Sequence, residues 1–351
     1  MLYMKKILIT GGCGFIGSNL SLFLKKKNFK VFSLDNLFRK GSSLNLKRLK
    51  KEKIKNFKIN ICSELAIQRL PKFDLIIDCC AEPAVEASRK STIAARRVYK
   101  TNLEGTFNII QKALVDKSRL IFLSTSRVYS IRALRNLISN NKYLIKTIKK
   151  NKTINEKFNT TEAKSLYGFT KLASEDLIKE YNYSHGLKYI INRFGLVSGP
   201  WQFGKVDQGL VSLWSWKYLN KINLSYIGFG GNGNQVRDIL HIDDLCEIVL
   251  LQIKKFNSIN NLTLNISGGL KNSVSLNDLS KIYEKISGNT INHKKIKKTS
   301  IYDIPYYIGS NLLVRKKYNW KPRKSIWQTA KDVYLWQLNN KKKLENFFNE
   351  K

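Results

Sequence analysis

The chain has 351 residues, 43% of them hydrophobic, so it can fold around a sizeable core as one large or two joined domains, which excludes a disordered polymer. Lys and Arg number 63 against 25 Asp and Glu, a net charge of +38, but the basic residues are spread along the chain, which favours a basic surface over a nucleic-acid-binding protein. No apolar run approaches the roughly 20 residues of a membrane span, and the five cysteines lack metal-site spacing, so we expect no membrane span, no metal and a cytoplasmic location.

The first predicted element is a strand that runs into a glycine-rich turn and a helix. Ile7-Leu8-Ile9-Thr10 is an apolar, β-prone run, and G-x-x-G-x-x-G spacing and a helical apolar pattern follow it. Glycines at this spacing let the backbone approach a pyrophosphate, which the free N–H groups of a helix N-terminus attract. We therefore predict a dinucleotide site, and because the motif begins at once we expect no signal peptide before it. The predicted contacts are Gly11, Gly14, Phe15, Ile16 and Gly17.

The second predicted strand, Lys30–Leu34, ends at an acidic residue, Asp35. A carboxylate at this place can accept hydrogen bonds from an adenosine ribose and would repel a 2′-phosphate, which favours NAD over NADP. The alternative is an ordinary strand–helix turn of some other α/β protein, which the combination of glycines, helix and acid disfavours.

Predicted strands and helices alternate through the first half of the chain. Strands are expected at 57–61, 74–78 and 119–123, and helices at 44–51 and 97–117. The run at 74–78 is apolar at successive positions, as expected for a parallel strand buried on both faces. We therefore predict an α/β fold: a Rossmann doubly wound parallel sheet with a smaller C-terminal α/β substrate-binding subdomain.

The later part of the chain breaks this alternation. Residues 131–164 are rich in Lys, Asn and Thr and indicate a lid, a binding loop or a disordered insertion. A helix at 172–181 and a strand at 188–193 follow, and the sequence is irregular beyond residue 200. The predicted division is an NAD-binding domain at 1–195 with a lid-like insertion at 131–164 and a sheet completed by 240–266, a substrate-binding subdomain at 196–239 and 267–338, and a peripheral charged tail at 339–351.

Four residues form a candidate acid–base set. Ser124 and Thr125 follow the fifth predicted strand, whose carboxyl end is where open α/β sheets bind ligands. Tyr167 and Lys171 are four residues apart and share one helical face. A nearby ammonium and the positive ring of NAD would lower the tyrosine pKa from about 10, giving a general acid/base for a sugar hydroxyl or ketone. The alternatives are a capping role for the hydroxyls and a surface pair for Tyr167 and Lys171.

With these motifs the chain resembles the extended short-chain dehydrogenase/reductase family, in particular its NAD-dependent nucleotide-sugar epimerases and dehydratases. The resemblance runs from Thr10 to about Trp336 and includes the segments 101–106, 192–194 and 231–244. It implies that Thr125, Tyr167 and Lys171 form a catalytic triad. It also implies cofactor contacts from Asn36, Arg39, Cys80, Ala81, Asn102 and Ser124, beside Tyr167 and Lys171, and substrate contacts from Arg193, Gln202, Gln208, Gly209, Gln235 and Arg237, with Arg237 binding the pyrophosphate.

The branch of the family is indicated by the residues after Thr125. The dehydratases carry an Asp-Glu pair there, whereas this chain has Ser126 and Arg127, and arginine cannot act as a general acid or base. The segments 35–41 and 202–209, with 235–238, are similar to the CDP-paratose 2-epimerases. The resemblance therefore implies inversion of a CDP-linked deoxyhexose at C2 by transient oxidation to a keto-sugar.

Alternative functions remain open on the sequence. They are 4-epimerisation of a UDP-hexose, net oxidoreduction of a nucleotide sugar, and a non-enzymatic NAD-sensing or nucleic-acid-binding role. By resemblance we also expect a homodimer or homotetramer that pairs through helices at 99–117 and 168–182.

Overall fold

The computed structural model describes residues 6–137, 153–203 and 209–348. These residues divide between two compact units. The first unit comprises 6–128, 165–193 and 246–264, and the second comprises 129–137, 153–164, 194–203, 209–245 and 265–348. The predicted contact at Gln208 lies outside the described residues, as does the part of the insertion at 138–152.

The described strands and helices are as follows. The strands are β1 (Lys6–Thr10), β2 (Lys30–Leu34), β3 (Lys55–Phe57), β4 (Leu75–Asp78), β5 (Arg119–Thr125), β6 (Tyr189–Phe194), β7 (Leu196–Ser198), β8 (Leu224–Ile227), β9 (Val236–His241), β10 (Leu262–Ile266), β11 (Ser273–Ser275), β12 (His293–Ile296) and β13 (Tyr306–Tyr307). The helices are α1 (Phe15–Lys26), α2 (Ser42–Lys51), α3 (Glu64–Gln68), α4 (Ala87–Lys90), α5 (Thr92–Tyr99), α6 (Gly105–Asp116), α7 (Ile131–Asn136), α8 (Leu166–His185), α9 (Leu210–Leu219), α10 (Ile242–Lys255), α11 (Leu276–Ser287), α12 (Leu312–Tyr318), α13 (Ile326–Asn339) and α14 (Lys341–Phe348).

A seven-stranded sheet with the order β3-β2-β1-β4-β5-β6-β10 forms the centre of the first unit. The strand order reverses between β1 and β4, both of which run parallel to their neighbours. The carboxyl ends of β1 and β4 therefore form the switch point at which doubly wound sheets bind ligands. This sheet confirms the predicted Rossmann fold, and β10 lies within the 240–266 segment expected to return to it.

The apolar strands of this sheet are covered on both faces, as their sequences predict. Leu8, Ile76, Leu120 and Phe122 are fully buried in one apolar cluster with side chains from the flanking helices. Two element ends differ from the predicted ones. β5 continues to Thr125, so the predicted hydroxyl pair ends the strand, and α8 begins at Leu166 because the Ser165 side chain accepts a hydrogen bond from the N–H of Gly168.

The second unit contains two smaller sheets. β9 pairs with β7, β11 and β13, and β8 pairs with β12. Helices α9, α11 and α13 pack on each other around an apolar cluster that includes Val211, Leu279 and Val333. No helix among the described residues is both long and apolar enough to cross a bilayer.

The described part of the predicted tail, which ends at residue 348, is packed and is not peripheral. In α14 the Leu344 side chain is 1% exposed, and the ring of Phe348 stacks on that of Trp216 at 4.6 Å between centroids. The composition of the segment does not indicate this apolar face, because the lysines at 341–343 occupy the solvent side of the same helix.

The flanks of the 131–164 insertion group with the second unit, whereas the predicted division kept them in the NAD-binding domain. The cause is backbone pairing: the N–H of Ile154 donates to the carbonyl of Ile308, and the N–H of Ser310 donates to the carbonyl of Ile154, both at 2.8 Å. The Tyr129 hydroxyl also donates to Asn265 at 2.6 Å. Such long-range contacts leave no periodic pattern in the sequence.

Candidate active site

The glycine turn between β1 and α1 has the shape that a pyrophosphate requires. Gly11 has a φ of +58°, and a Cβ there would lie 3.0 Å from the Cα of Cys80. A Cβ on Gly17 would collide with the carbonyl oxygen of Gly11, so α1 can pack this close only without a side chain. Gly14 precedes α1 with no capping side chain, and Phe15 and Ile16 open the helix half-buried. The turn therefore fits a dinucleotide at the N-terminus of α1.

Asp35 fastens this turn to the end of β2. Its Oδ2 accepts a hydrogen bond from the N–H of Cys13 at 3.0 Å, and its Oδ1 accepts one from the N–H of Leu37 at 2.8 Å. Burial raises the pKa of Asp35, and these hydrogen bonds and the Arg39 charge oppose the shift. Each carboxylate oxygen has further acceptor capacity, so the predicted ribose contact is compatible with this arrangement. Asn36 is exposed and accepts from the N–H of Phe38.

The loop after β4 is held from two sides. The N–H of Cys80 donates to Thr10 and Asp78, both at 3.2 Å, and Ala81 is half-buried beside it. Glu82 pairs with Arg39 at 2.7 Å and with Arg97 at 3.5 Å. Arg39, predicted to contact the cofactor, therefore already has a carboxylate partner.

Asn102 is a buried clamp on this loop, and its predicted contact with the cofactor stays a prediction. Its side chain is fully buried. Its Oδ1 accepts from the N–H of Glu82 at 2.7 Å, and its Nδ2 donates to the Glu82 carbonyl and to Thr170 Oγ1, each at 3.2 Å. The amide thus positions the backbone of residue 82.

Thr125 and Tyr167 meet as the sequence predicts. The Thr125 side chain lies near enough to the Tyr167 hydroxyl to lower its pKa, and Thr125 Oγ1 accepts a hydrogen bond from the N–H of Arg127 at 3.2 Å. Burial raises the pKa of Tyr167, while the Thr125 hydrogen bond and the charges of Arg127 and Arg39 lower it. The predicted lowering depends on the positive ring of bound NAD as well as on Lys171, so it stays a prediction for the NAD-loaded protein.

Lys171 lies one helical turn further along α8 and is 1% exposed. Its ammonium is 3.7 Å from the centroid of the Phe122 ring. Burial lowers the pKa of Lys171, and the carboxylates of Asp78 and Glu175 oppose that shift. Lys171 is therefore a buried cation between two acids and an aromatic face.

Arg193 forms a buried ion pair, and its predicted contact with substrate stays a prediction. Its Nη2 is 2.7 Å from Oε2 of Glu175, and its Nε donates to Glu175 Oε1 at 3.0 Å. Ser124 Oγ donates to the same Oε1 at 2.5 Å, so the predicted cofactor contact at Ser124 is directed to the protein. Glu175 is the acceptor that the sequence reading missed, although its position four residues after Lys171 puts it on the same helical face.

In the second unit, Arg237 is held on one side by protein acceptors. Its Nη2 donates to Asp303 Oδ1 at 3.1 Å and to the carbonyl of Ile304 at 2.7 Å, and its Nη1 donates to the carbonyl of Val236 at 2.8 Å. Its side chain is 14% exposed. The sequence reading also missed Asp303, which lies 66 residues from Arg237 and has no local signal.

The other predicted substrate contacts in this unit differ in their availability. The Gln202 amide accepts from Ser198 Oγ at 2.9 Å and donates to the Val197 carbonyl at 3.1 Å, so both of its ends bind protein. Gln235 donates to the Ile227 carbonyl at 2.9 Å, and its buried Oε1 has no partner among the described residues. Gly209 precedes α9 at a φ of +75°.

Comparison with known proteins places these features in a family. The model of the NAD dependent epimerase/dehydratase family matches residues 7–267. The chain is 27% identical to CDP-paratose 2-epimerase of Salmonella typhi over 94% of its own length and 98% of that protein. It is 30% identical to dTDP-D-glucose 4,6-dehydratase of Dictyostelium discoideum over 72% of its length and 56% of that protein.

The fold of a solved structure agrees with this assignment. The UDP-glucose 4-epimerase of Thermotoga maritima, determined with UDP-glucose, superposes with a TM-score of 0.78 at 24% identity, covering 95% of this chain and 99% of that one. The range matched by the family model includes the glycine turn and most of the seven-stranded sheet. The chain is therefore a member of the NAD dependent epimerase/dehydratase family, with NAD as its cofactor.

Proposed function

We propose that the protein is a nucleotide-sugar epimerase that inverts C2 of a CDP-linked deoxyhexose by transient oxidation to a keto-sugar. The contact of Thr125 with Tyr167, with Arg127 beside it, is the observation that supports this most. It offers an acid–base group next to a hydrogen-bond donor but no carboxylic acid at positions 126 and 127 that could catalyse elimination. The similarity to CDP-paratose 2-epimerase over 94% of the chain supports the substrate class.

In this proposal Tyr167 takes the proton of the reacting hydroxyl and later returns it. Thr125 hydrogen-bonds the same oxygen, and Lys171 holds the cofactor ribose. NAD, when bound, supplies a hydride acceptor and donor, so that one carbon is oxidised and then reduced on its other face. The chain's own part is to bring the tyrosine oxygen, the threonine hydroxyl and the sugar into register.

We propose that the cofactor is held by the turn Gly11–Gly17, by Asp35 and by the backbone at Cys80 and Ala81. Arg237 binds the substrate pyrophosphate, since a guanidinium fork matches phosphate oxygens. The unpartnered Oε1 of Gln235 suits a hydroxyl donor of the sugar or ribose.

A second candidate is 4-epimerisation of a UDP-hexose. It uses the same three side chains, and the solved UDP-glucose 4-epimerase covers nearly the whole chain. The two reactions differ only in which hydroxyl of the sugar reaches Tyr167.

The test is incubation of the NAD-loaded protein with CDP-, UDP-, GDP- and dTDP-sugars, followed by proton NMR of the product sugar. Inversion at C2 supports the first proposal, and inversion at C4 supports the second. Net accumulation of NADH, or a 4-keto-6-deoxy product, contradicts both. Tyr167→Phe is the matched control: it removes one hydroxyl, so it should abolish turnover and leave NAD binding nearly intact.

We further propose that the protein is a cytoplasmic homodimer or homotetramer. All five cysteines are free thiols, which suits a reducing compartment. The expected pairing segments, 99–117 and 168–182, expose the large apolar side chains of Tyr99, Phe107, Val115 and Phe169. Sedimentation equilibrium tests this, and Phe169→Glu should shift the mass toward that of one chain.

A further inference from the structure

One side chain, Arg135 of α7, holds a turn that has no helix or strand of its own, residues 297–305. The Nε and Nη2 of Arg135 both donate to the carbonyl oxygen of Asp303, at 3.0 and 2.8 Å. Nη2 also donates to the carbonyls of Ser300 at 2.8 Å and Ile301 at 3.2 Å. One guanidinium therefore fixes three backbone carbonyls of the turn.

The same turn carries the acid that faces Arg237. Asp303 Oδ1 accepts from Nη2 of Arg237 at 3.1 Å, and the next carbonyl, that of Ile304, accepts from the same nitrogen at 2.7 Å. The N–H of Ile304 donates to Asp303 Oδ1 at 2.8 Å, which orients the carboxylate. Arg135 thus holds the backbone of Asp303, and the side chain of Asp303 holds Arg237.

This chain of contacts matters because a free arginine side chain has many rotamers. Holding the side chain in one rotamer costs conformational entropy, which a ligand must overcome if the protein has not already done so. The Arg237 and Asp303 side chains are 14% and 26% exposed, so solvent screens their bond only in part. The guanidinium of Arg237 is therefore oriented before any ligand arrives.

We propose that Arg135 is a positioning residue for diphosphate binding. It fixes the 297–305 turn, and through Asp303 that turn orients Arg237 toward the diphosphate of a nucleoside diphosphate sugar. This rests on the proposed function, in which Arg237 binds that group. The flank of the 131–164 insertion then acts as a fixed support of the substrate site.

The first experiment titrates CDP and UDP into the NAD-loaded protein by calorimetry. Arg135→Met should weaken the binding of CDP and UDP by about tenfold, since the turn loses all its bonds to that guanidinium. Arg135→Lys should give an intermediate loss, because lysine keeps the charge but not the fork. Arg132→Met is the matched control: Arg132 is exposed on the same helix, and its loss should leave binding unchanged. Affinity for NAD should be the same in all variants.

The second experiment asks whether Arg135 acts through Arg237. In a double-mutant cycle, Arg135→Met should have no further effect on diphosphate affinity when Arg237 is already Met. An equal loss in both backgrounds would mean that Arg135 only supports the fold, and wild-type affinity in Arg135→Met would equally overturn the proposal. If the methionine variant does not fold, Arg135→Lys takes its place in the cycle.

These outcomes are separate from those of the epimerase test. A protein that binds CDP or UDP and shows the coupled cycle, yet inverts no sugar, contradicts the proposed reaction and leaves the role of Arg135 standing. If the wild type binds neither diphosphate, the role of Arg135 is overturned whatever the sugar assay gives. Where turnover is measured, Arg135→Met should raise KM and leave kcat nearly unchanged.

Discussion

Burial and nearby charges shift the pKa of Tyr167, the proposed base, in opposite directions. Burial raises its pKa, while the Thr125 hydrogen bond and the charges of Arg127 and Arg39 lower it. Arg127 is attached to the site through its backbone N–H, which donates to Thr125. In the proposed epimerase reaction, the charge of Arg127 would therefore favour the phenolate form of Tyr167.

The first prediction concerns this cation. Arg127→Met removes a positive charge beside the tyrosine, so the pKa of Tyr167 should rise further. Since the base is the deprotonated form, activity grows as pH rises through that pKa, and the rising limb of kcat/KM should move to higher pH. At neutral pH kcat/KM should fall severalfold. The measurement is a pH–rate profile of both proteins, with Arg127→Lys expected to restore the wild-type limb; superimposable profiles for the wild type and Arg127→Met would contradict the role.

The pair of Glu175 and Arg193 supplies a second prediction. Their side chains are 0% and 6% exposed, and Glu175 also accepts from Ser124. Glu175→Gln removes the negative charge that faces this guanidinium, in a site that water does not reach. We expect a loss of about 3–5 kcal/mol in the free energy of unfolding, measured by urea denaturation.

An exposed pair on the same helix provides the control for that prediction. Asp176 and Lys179 are 2.9 Å apart, but their side chains are 63% and 40% exposed. Asp176→Asn should change the stability by about 1 kcal/mol or less, since solvent screens the pair. Equal effects of the two substitutions on the free energy of unfolding would mean that burial does not determine how much Glu175 contributes to stability.

At the scale of elements, α14 shows how composition can mislead. Its lysines predict a solvated tail, yet Leu344 is buried, and Phe347 contacts Phe203 at 5.2 Å between ring centroids. The C-terminal helix therefore packs on the segment that carries Gln202.

The third prediction measures this packing. Leu344→Ala should lower the free energy of unfolding by about 2–5 kcal/mol, because it deletes a fully buried side chain. Leu338→Ala is the control, since Leu338 of α13 is 46% exposed and its loss should change stability by about 0.5 kcal/mol or less. If α14 does not contribute to stability, the two variants should have the same midpoint of thermal unfolding.

Elements defined by local sequence were predictable, and those defined by distant partners were not. The β1–turn–α1 unit follows from glycine spacing and apolar runs, and the approach of Thr125 to Tyr167 follows from the sheet order. The start of α8 was missed because one cap, Ser165, decides it. The roles of Arg193 and Arg237 depend on Glu175 and Asp303, whose positions only the folded chain reveals.

At the scale of the whole molecule, the net charge of +38 would act on the proposed substrate, which carries a diphosphate. A protein with this excess of lysine attracts anions over a distance set by the ionic strength, about 10 Å at 0.1 M salt. Such a field raises the rate of encounter without any specific contact. We therefore expect the charge to raise the rate of substrate capture even if it reflects composition alone.

The fourth prediction follows from that field. Between low salt and about 0.5 M NaCl, kcat/KM for a nucleotide sugar should fall about tenfold, while kcat should change little, because screening weakens capture and not the bound state. Sodium sulfate at matched ionic strength separates screening from competition, since sulfate would compete directly for Arg237. A kcat/KM that is independent of ionic strength would show that the charge has no part in capture. Strong salt-sensitive binding of nucleic acid, together with inertness toward every nucleotide sugar, would instead point to the nucleic-acid role that the spread of lysines disfavours.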